Sequence, residues 1–281
     1  MLKLDRYQKN MLPGGINPEQ QEKLIASRIL VMGVGGLGSG VIMNLAALGI
    51  GQIKVVDSEV IEESDFNRQL IHKYKSITRA KVMSAKEWIQ DFNPDIKVEI
   101  EKIRINELNY FNITDGYDII VDCFDNYRSK YMLNEIALRH NAILIHGSTQ
   151  GYCGQVTTIV PTKTGCLSCI MQKPSNLVEK EYPTLSPVVN TIASLQAQEV
   201  LKIITGSGEA LLNKLLVFDG YKSEFKILNY SKNPNCETCS VTEALYQNLD
   251  ETIFKTINWN ILQLFFQYSN KLFRPHTDLL F

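Results

Sequence analysis

Apolar residues along this chain follow two spacings. Short unbroken runs mark buried strands, and longer stretches with apolar residues every three or four positions mark helices. "NPEQQEKLIAS" predicts a short helix with Asn17 as N-cap and Pro18 at its first position. "RILVMG" (28–33) reads as a strand, "GLGSGVIMNLAALG" (36–49) as a helix and "QIKVVD" (52–57) as a strand ending on Asp57. Strand, glycine loop, helix, strand and acid make one βαβ unit.

The alternation continues. "RAKVMSAKEWIQDF" is helical, "KVEIE" a strand, "YDIIVDCF" a strongly apolar strand, "NYRSKYMLNEIALRH" a helix and "AILIHG" a strand. Apolar strands alternating with helices predict a parallel sheet covered on both faces. After Gly151 the pattern changes: "QVTTIVP", "LLVFDG" and "EFKILNY" read as antiparallel strands, with the helix "PVVNTIASLQAQEVLKIITG" among them. The expected fold is α/β: a Rossmann-like, mostly parallel sheet flanked by helices, with an antiparallel C-terminal extension of the sheet. Residues 1–240 make one domain, and 241–281 a helical extension of two helices and a tail. The amphipathic stretch "NWNILQLFFQY" suits packing on its own domain or a dimer mate better than a membrane.

Composition narrows the function. A formal net charge of −1 over 281 residues points to no nucleic-acid or membrane surface, so the expected partner is a small molecule or a folded protein. The N-terminal residues carry no signal-like apolar segment, and the expected location is cytoplasmic. Residues 29–53 contain no charge, but seven glycines interrupt them, which suits a buried strand, loop and helix rather than a bilayer span. Of six cysteines, four form two C-x-x-C pairs, which in a reducing compartment suggests metal rather than disulfides.

The candidate chemistry begins at Gly33, Gly35, Gly36 and Gly38. Alone, G-x-G-x-x-G is a weak signal, and a glycine turn needed only for packing is its rival. Its place between strand and helix favours a nucleotide whose phosphates meet backbone N–H groups at a helix N-terminus. Asp57, nineteen positions after Gly38, suits a ribose hydroxyl. Beyond it lie Ser64, Asp65, Asn67, Arg68, Gln69 and Lys81. A hydride-carrying cofactor has little need for these groups. A triphosphate does need them, and Arg68 and Lys81 are the candidates to neutralise its charge, with solvated surface charge as the alternative. Asp125, at the carboxyl end of an apolar strand, suits magnesium, while Asp122 reads as a cap for the next helix. Cys166, Cys169, Cys236 and Cys239 suit a closed tetrahedral Zn²⁺ site of structural role. A redox pair is the rival, disfavoured because neither pair precedes a helix in a thioredoxin-like unit. Cys123 reads as a buried small residue.

Together "GVGGLGSG", Asp57, "SDFNRQ", Lys81, "DCFDN", "CLSC" and "NPNCETC" resemble the ThiF/MoeB/HesA family, relatives of the ubiquitin-activating enzymes, over roughly residues 5–240. The resemblance implies a homodimeric, zinc-containing adenylyltransferase. Such an enzyme uses MgATP to adenylate the C-terminal glycine carboxylate of a small ubiquitin-like (β-grasp) carrier protein ending in Gly-Gly. It implies that Gly33 to Gly38 cradle ATP, that Asp57 takes the ribose and that Arg68, Gln69 and Lys81 meet the phosphates. Asp125, beside Asn126, would hold Mg²⁺. Three departures stand out. Lys9, in "RYQKN", replaces an arginine that enters the partner subunit's ATP site, and is a point charge rather than a fork. Asp65 replaces an asparagine, as either a further magnesium ligand or a source of repulsion toward phosphate. "MQKPSNLVEKEYPTLS" lacks the cysteine of members that form a thioester or persulfide with their carrier, so the chemistry is expected to stop at the acyl-adenylate. Other possibilities are adenylation of a ribosomal peptide's C-terminus or a small carboxylate, an NAD-dependent oxidoreductase and a non-catalytic subunit.

Overall fold

The computed structural model describes residues 4–106, 108–171 and 182–240. After a 3-10 turn at Asp5–Met11, the elements run α1 (Pro18–Ala26), β1 (Arg28–Met32), α2 (Gly36–Leu48), β2 (Gln52–Val56), α3 (Lys81–Phe92), β3 (Lys97–Glu101), α4 (Tyr110–Thr114) and β4 (Ile119–Asp122). Then follow α5 (Tyr127–Arg139), β5 (Ile143–Gln150), β6 (Cys153–Ile159), α6 (Leu167–Ile170), α7 (Ser186–Thr205), β7 (Lys214–Asp219) and β8 (Glu224–Asn229).

Local chemistry sets several boundaries. Asn17 and Gln20 form the capping box at α1, each side chain bonded to the other's backbone N–H at 2.8 Å, with Pro18 in the first turn. Gly49, in the left-handed region (φ +83°), ends α2. The helix after Asp57 begins at Lys81 rather than Arg79, because Ala80 is extended and bridges to Val60. The turn at Asp5–Met11 and the helices α4 and α6 were not anticipated from the sequence; they are too short to show a 3.6-residue period.

The sheet has eight strands in the order β3-β2-β1-β4-β5-β6-β7-β8. β1 to β5 are parallel, and β6, β7 and β8 run antiparallel to their neighbours, as the change of pattern after Gly151 predicted. Ile29 to Met32 are all buried, because alternate residues face two different cores. Ile29 and Val31 join the core beneath α2, α3 and α7, and Leu30 and Met32 the core beneath α5. The chain winds from β1 toward β3, then returns to place β4 on the other side of β1. That reversal opens a crevice at the carboxyl ends of β1 and β4, the place where open α/β sheets bind ligands.

No described helix is long and apolar enough to cross a membrane. The two helices expected over 241–281 lie outside the described residues.

Gly33 and Gly38, in and just after the loop that follows β1, have no room for a side chain. A Cβ at Gly38 would fall 2.0 Å from the Gly33 carbonyl oxygen. Gly38→Ala is therefore expected to cost about 3 kcal/mol or more, read as a lower urea midpoint at unchanged m-value. A loss below about 0.5 kcal/mol would contradict this packing.

Candidate active site

The glycine loop crosses directly over the end of β4. Gly33 sits at φ +98°, and a Cβ there would lie 2.8 Å from the Cys123 carbonyl oxygen. Its N–H is bonded to the Val56 carbonyl, so the loop is tied to β2 as well. Val34 is pinned at both ends. Its N–H donates to Asp57 Oδ2 at 2.7 Å, and its carbonyl faces His72 Nε2 at 3.3 Å. Gly35 differs from the other glycines: a Cβ there would meet nothing closer than Gln69 Nε2 at 3.9 Å. The start of α2 carries no side-chain cap, so its first N–H groups are available to an anion.

Asp57 accepts a second N–H from Glu59 at 2.7 Å. Burial lifts its carboxyl above the ordinary range, although both N–H groups and the charge of Lys81 pull the other way. Additional donors, such as ribose hydroxyls, would stabilise the ionised form.

Asp65 is a buried hub. Its Oδ1 accepts from Gln69 Nε2 at 2.6 Å and lies 3.5 Å from the Arg68 guanidinium. Oδ2 accepts from the Glu62 N–H at 3.0 Å and lies 3.4 Å from Lys81 Nζ. Lys81 is itself buried and bonds Glu59 Oε2 at 2.6 Å. Burial alone would lower the Lys81 pKa, but Glu59, Asp65 and Asp57 outweigh it and raise the value, so the ammonium stays charged. Arg68 bonds Ser64 O and Asn67 Oδ1, and its stem lies against the start of α2. The structure thus brings Gly33 to Gly38, Asp57, Asp65, Arg68, Gln69 and Lys81 together, with Asp65 organising the cluster from within.

At the end of β4, Asp125 is exposed, with Asn126 Nδ2 at 3.2 Å from its Oδ1. Asp122 does not cap α5. Asn126 does, accepting the Ser129 N–H at 2.8 Å. Asp122 is fully buried, and its carboxylate accepts the Phe124 N–H at 3.1 Å, which fixes the turn that carries Asp125. His146 Nδ1 approaches it at 2.7 Å and Lys130 Nζ at 3.4 Å. Burial would raise the Asp122 pKa, but these partners outweigh it and hold the carboxyl below the usual range. The sequence reading missed His72, Lys130 and His146. His146 is the single polar side chain inside the apolar run "AILIHG", which is the signal that could have found it; Lys130 stands in the polar run "YRSK" and carries no such signal.

The four C-x-x-C sulfurs converge although the pairs are far apart in sequence. All lie within 4.8 Å of one another, with Cys166–Cys236 at 3.7 Å and Cys169–Cys239 at 3.6 Å. Zinc bonded tetrahedrally to four sulfurs would set them ~3.8 Å apart, so the cluster fits. Burial and the neighbouring Cys169 and Cys236 push the Cys166 thiol up to about 11, a cost that a divalent cation reverses. Cys166 is the N-cap of the four-residue α6. Cys123 is buried, as anticipated, and Cys153 is exposed.

Lys9 is not near the loop. Tyr7 packs over Gly49, at the far end of α2, and its hydroxyl accepts from Asn93 Nδ2 at 2.9 Å. The thirteen residues of α2 put roughly 20 Å between that anchor and the loop.

With this geometry in view, comparison with known proteins is informative. The ThiF family model matches residues 7–238, and the chain belongs to this family of adenylyltransferases. It is 34% identical to the SAMP-activating enzyme E1 of Haloferax volcanii, across 84% of this chain and 88% of that protein. It is 32% identical to the sulfur carrier protein adenylyltransferase of Thermus thermophilus, across 84% and 90%. The crystal structure of E. coli MccB with ATP superposes with a TM-score of 0.76 at 28% identity, covering 84% of this chain and 74% of that one. Another MccB structure holds N-formylated MccA, at a TM-score of 0.76.

His72 gives the site a pH signature. To donate to Val34 O, Nε2 must carry the proton, leaving Nδ1 to accept from Ser84 Oγ at 3.1 Å. Burial, aided by Lys81, lowers its pKa to about 4 against the pull of Val34 and Asp65. The unfolded chain takes up this proton near 6.5 and the fold only near 4, so stability falls as pH drops between those values. His72 is expected to contribute up to about 3 kcal/mol to that fall, and His72→Gln should flatten the curve accordingly in denaturant titrations from pH 7 to 4. Identical slopes for the two proteins would contradict this.

Proposed function

We propose that this protein uses MgATP to activate the C-terminal glycine carboxylate of a small β-grasp sulfur-carrier protein as an acyl-adenylate. One observation carries the proposal: Arg68 and Lys81 flank an uncapped helix N-terminus, with the exposed Asp125 carboxylate on the adjoining strand end. Two cations and a row of N–H groups suit a triphosphate, and Asp125 suits its magnesium. A carboxylate oxygen of the carrier attacks the α-phosphorus, the bond to the β-phosphate bridging oxygen breaks, and pyrophosphate leaves. Arg68 and Lys81 stabilise the charge gathering on the phosphates, and Asp57 orients the ribose. Magnesium, when bound, neutralises the departing pyrophosphate. No protein nucleophile is needed, since positioning and charge carry the step.

The four-cysteine cluster holds zinc in a closed site, joining the segment after β6 to the chain's return after β8. The protein acts as a homodimer in which Lys9 serves the partner's nucleotide site; its remoteness from its own loop supports this assignment. A second substrate class, the C-terminus of a ribosomal peptide, is favoured by the likeness to MccB with N-formylated MccA.

Pyrophosphate–ATP exchange that depends on an added carrier and on magnesium tests the proposal. Asp125→Ala and Arg68→Ala are each expected to lower exchange by about 100-fold or more while leaving the protein folded. Exchange at the wild-type rate in both variants would overturn the assignment.

In sequence, the segment before α7, "MQKPSNLVEKEYPTLS", has no cysteine, so the reaction ends at the acyl-adenylate. Incubation with carrier and ATP should give no thioester adduct on non-reducing gels or by intact mass. A reductant-sensitive adduct would sink this part of the account.

A further inference from the structure

Helix α5 holds the segment of the first cysteine pair through Tyr131 and Asn134. The Tyr131 hydroxyl donates to the Met171 carbonyl at 2.9 Å, and Asn134 Oδ1 accepts the Leu167 N–H at 2.9 Å. These bonds bracket α6, which has Cys166 as its N-cap and Cys169 within its span. Asn134 has no exposed surface, and its Nδ2 is buried without a completed hydrogen bond. The two ends of this amide cannot be exchanged. A backbone N–H only donates, so the end that meets Leu167 is the oxygen and the other end is the N–H₂.

A buried donor without a partner is costly, and what satisfies it must be an acceptor. No visiting ligand is required, because Leu167 directly follows Cys166 and the amide acts on the Cys166 sulfur. Burial pushes that thiol up, and Asn134 is the side chain whose hydrogen bond opposes the push, with the Cys169 N–H as a second donor. A thiol is a weak acceptor, whereas a thiolate is a strong one. Four thiolates around one Zn²⁺ leave an excess of negative charge, here with Cys166, Cys236 and Cys239 all buried. N–H donors outside the ligand set disperse such charge and fix the ligands' directions. Asn233 already supplies one, its N–H lying 3.4 Å from Cys169 Sγ. We propose that Asn134 donates its N–H₂ to the zinc-bound Cys166 thiolate, as a positioning residue that ties the metal to α5. The same helix holds Asp122 through Lys130, so the zinc cluster and the turn before Asp125 share one support. The inference rests on the zinc site proposed above and names a residue outside the cysteine motifs that serves it.

Loading the wild-type protein with a spin-active cadmium isotope in place of zinc tests this without any substitution. NMR should show scalar coupling between the metal and the Asn134 side-chain amide protons, which passes only through a formed N–H···S bond. No coupling at Asn134 overturns the inference. Asn134→Leu keeps the volume and removes the amide. It is expected to release zinc to a chelator about tenfold faster, and to move the sulfur-to-metal charge-transfer band of the cobalt-loaded protein to longer wavelength. Thermal unfolding checks that the variant folds, and the cadmium measurement decides if it does not. Faster release with an unmoved band would mean that Asn134 serves Leu167 alone, and overturns the inference. Release and band both identical to the wild type overturn it too. A wild-type protein that binds neither zinc, cadmium nor cobalt would instead overturn the zinc site itself.

Discussion

At the turn out of β1, two backbones meet with no side chain between them. Gly33 lies against the Cys123 carbonyl, and Gly38 lies against the carbonyl of Gly33. This contact is possible only where strand order reverses, because there β4 returns beside β1 and the two strand ends finish side by side. It brings the start of α2 over the end of β4. The uncapped N–H groups of the helix and the Asp125 turn therefore share one crevice. Any side chain on the crossing would separate them. Val34 completes the arrangement: Asp57 and His72 hold its two backbone groups, so the loop's path is fixed before any ligand arrives.

Charge is arranged around that loop by substitution of partners rather than by exposure. Lys81 is buried against Glu59 and Asp65, and Arg68 is folded back on its own turn. Both cations have protein partners, which spares a buried ammonium from standing alone. On the other side, Lys130 and His146 compensate Asp122, whose carboxylate shapes the turn leading to Asp125. Each aspartate around the loop thus has a distinct duty. Asp57 and Asp65 hold the loop and the cation cluster, Asp122 holds the turn, and of these four aspartates Asp125 is the exposed one.

Much of this was legible in the chain. The unbroken apolar runs located the central strands, and Asn17-Pro18 marked a helix start, since each signal is local. The candidate site residues stood out because the glycines and Asp57 fell in order along one βαβ unit, with Arg68, Gln69 and Lys81 after it. What stayed hidden were relations between distant segments. The meeting of Cys166 and Cys169 with Cys236 and Cys239 was expected from residue type, but the antiparallel return of β7 and β8 that brings them together is not encoded in any local spacing. The role of Asp65 could not be decided between metal ligation and repulsion; its burial among Gln69, Lys81 and Arg68 places it inside the cluster as an organiser. Asp122 was taken for a cap because it precedes a helix, and its partner His146 lies on a neighbouring strand.

The central claim is that the crossing at Gly33 to Gly38 presents the start of α2 to the phosphates of ATP. A crystal structure with a non-hydrolysable ATP analogue tests it most directly. The account predicts phosphates against the N–H groups of Gly35 to Leu37, with Arg68 and Lys81 turned toward them and the ribose at Asp57. A nucleotide seated elsewhere, with the cations still bound to Glu59, Asp65 and Ser64, would contradict it.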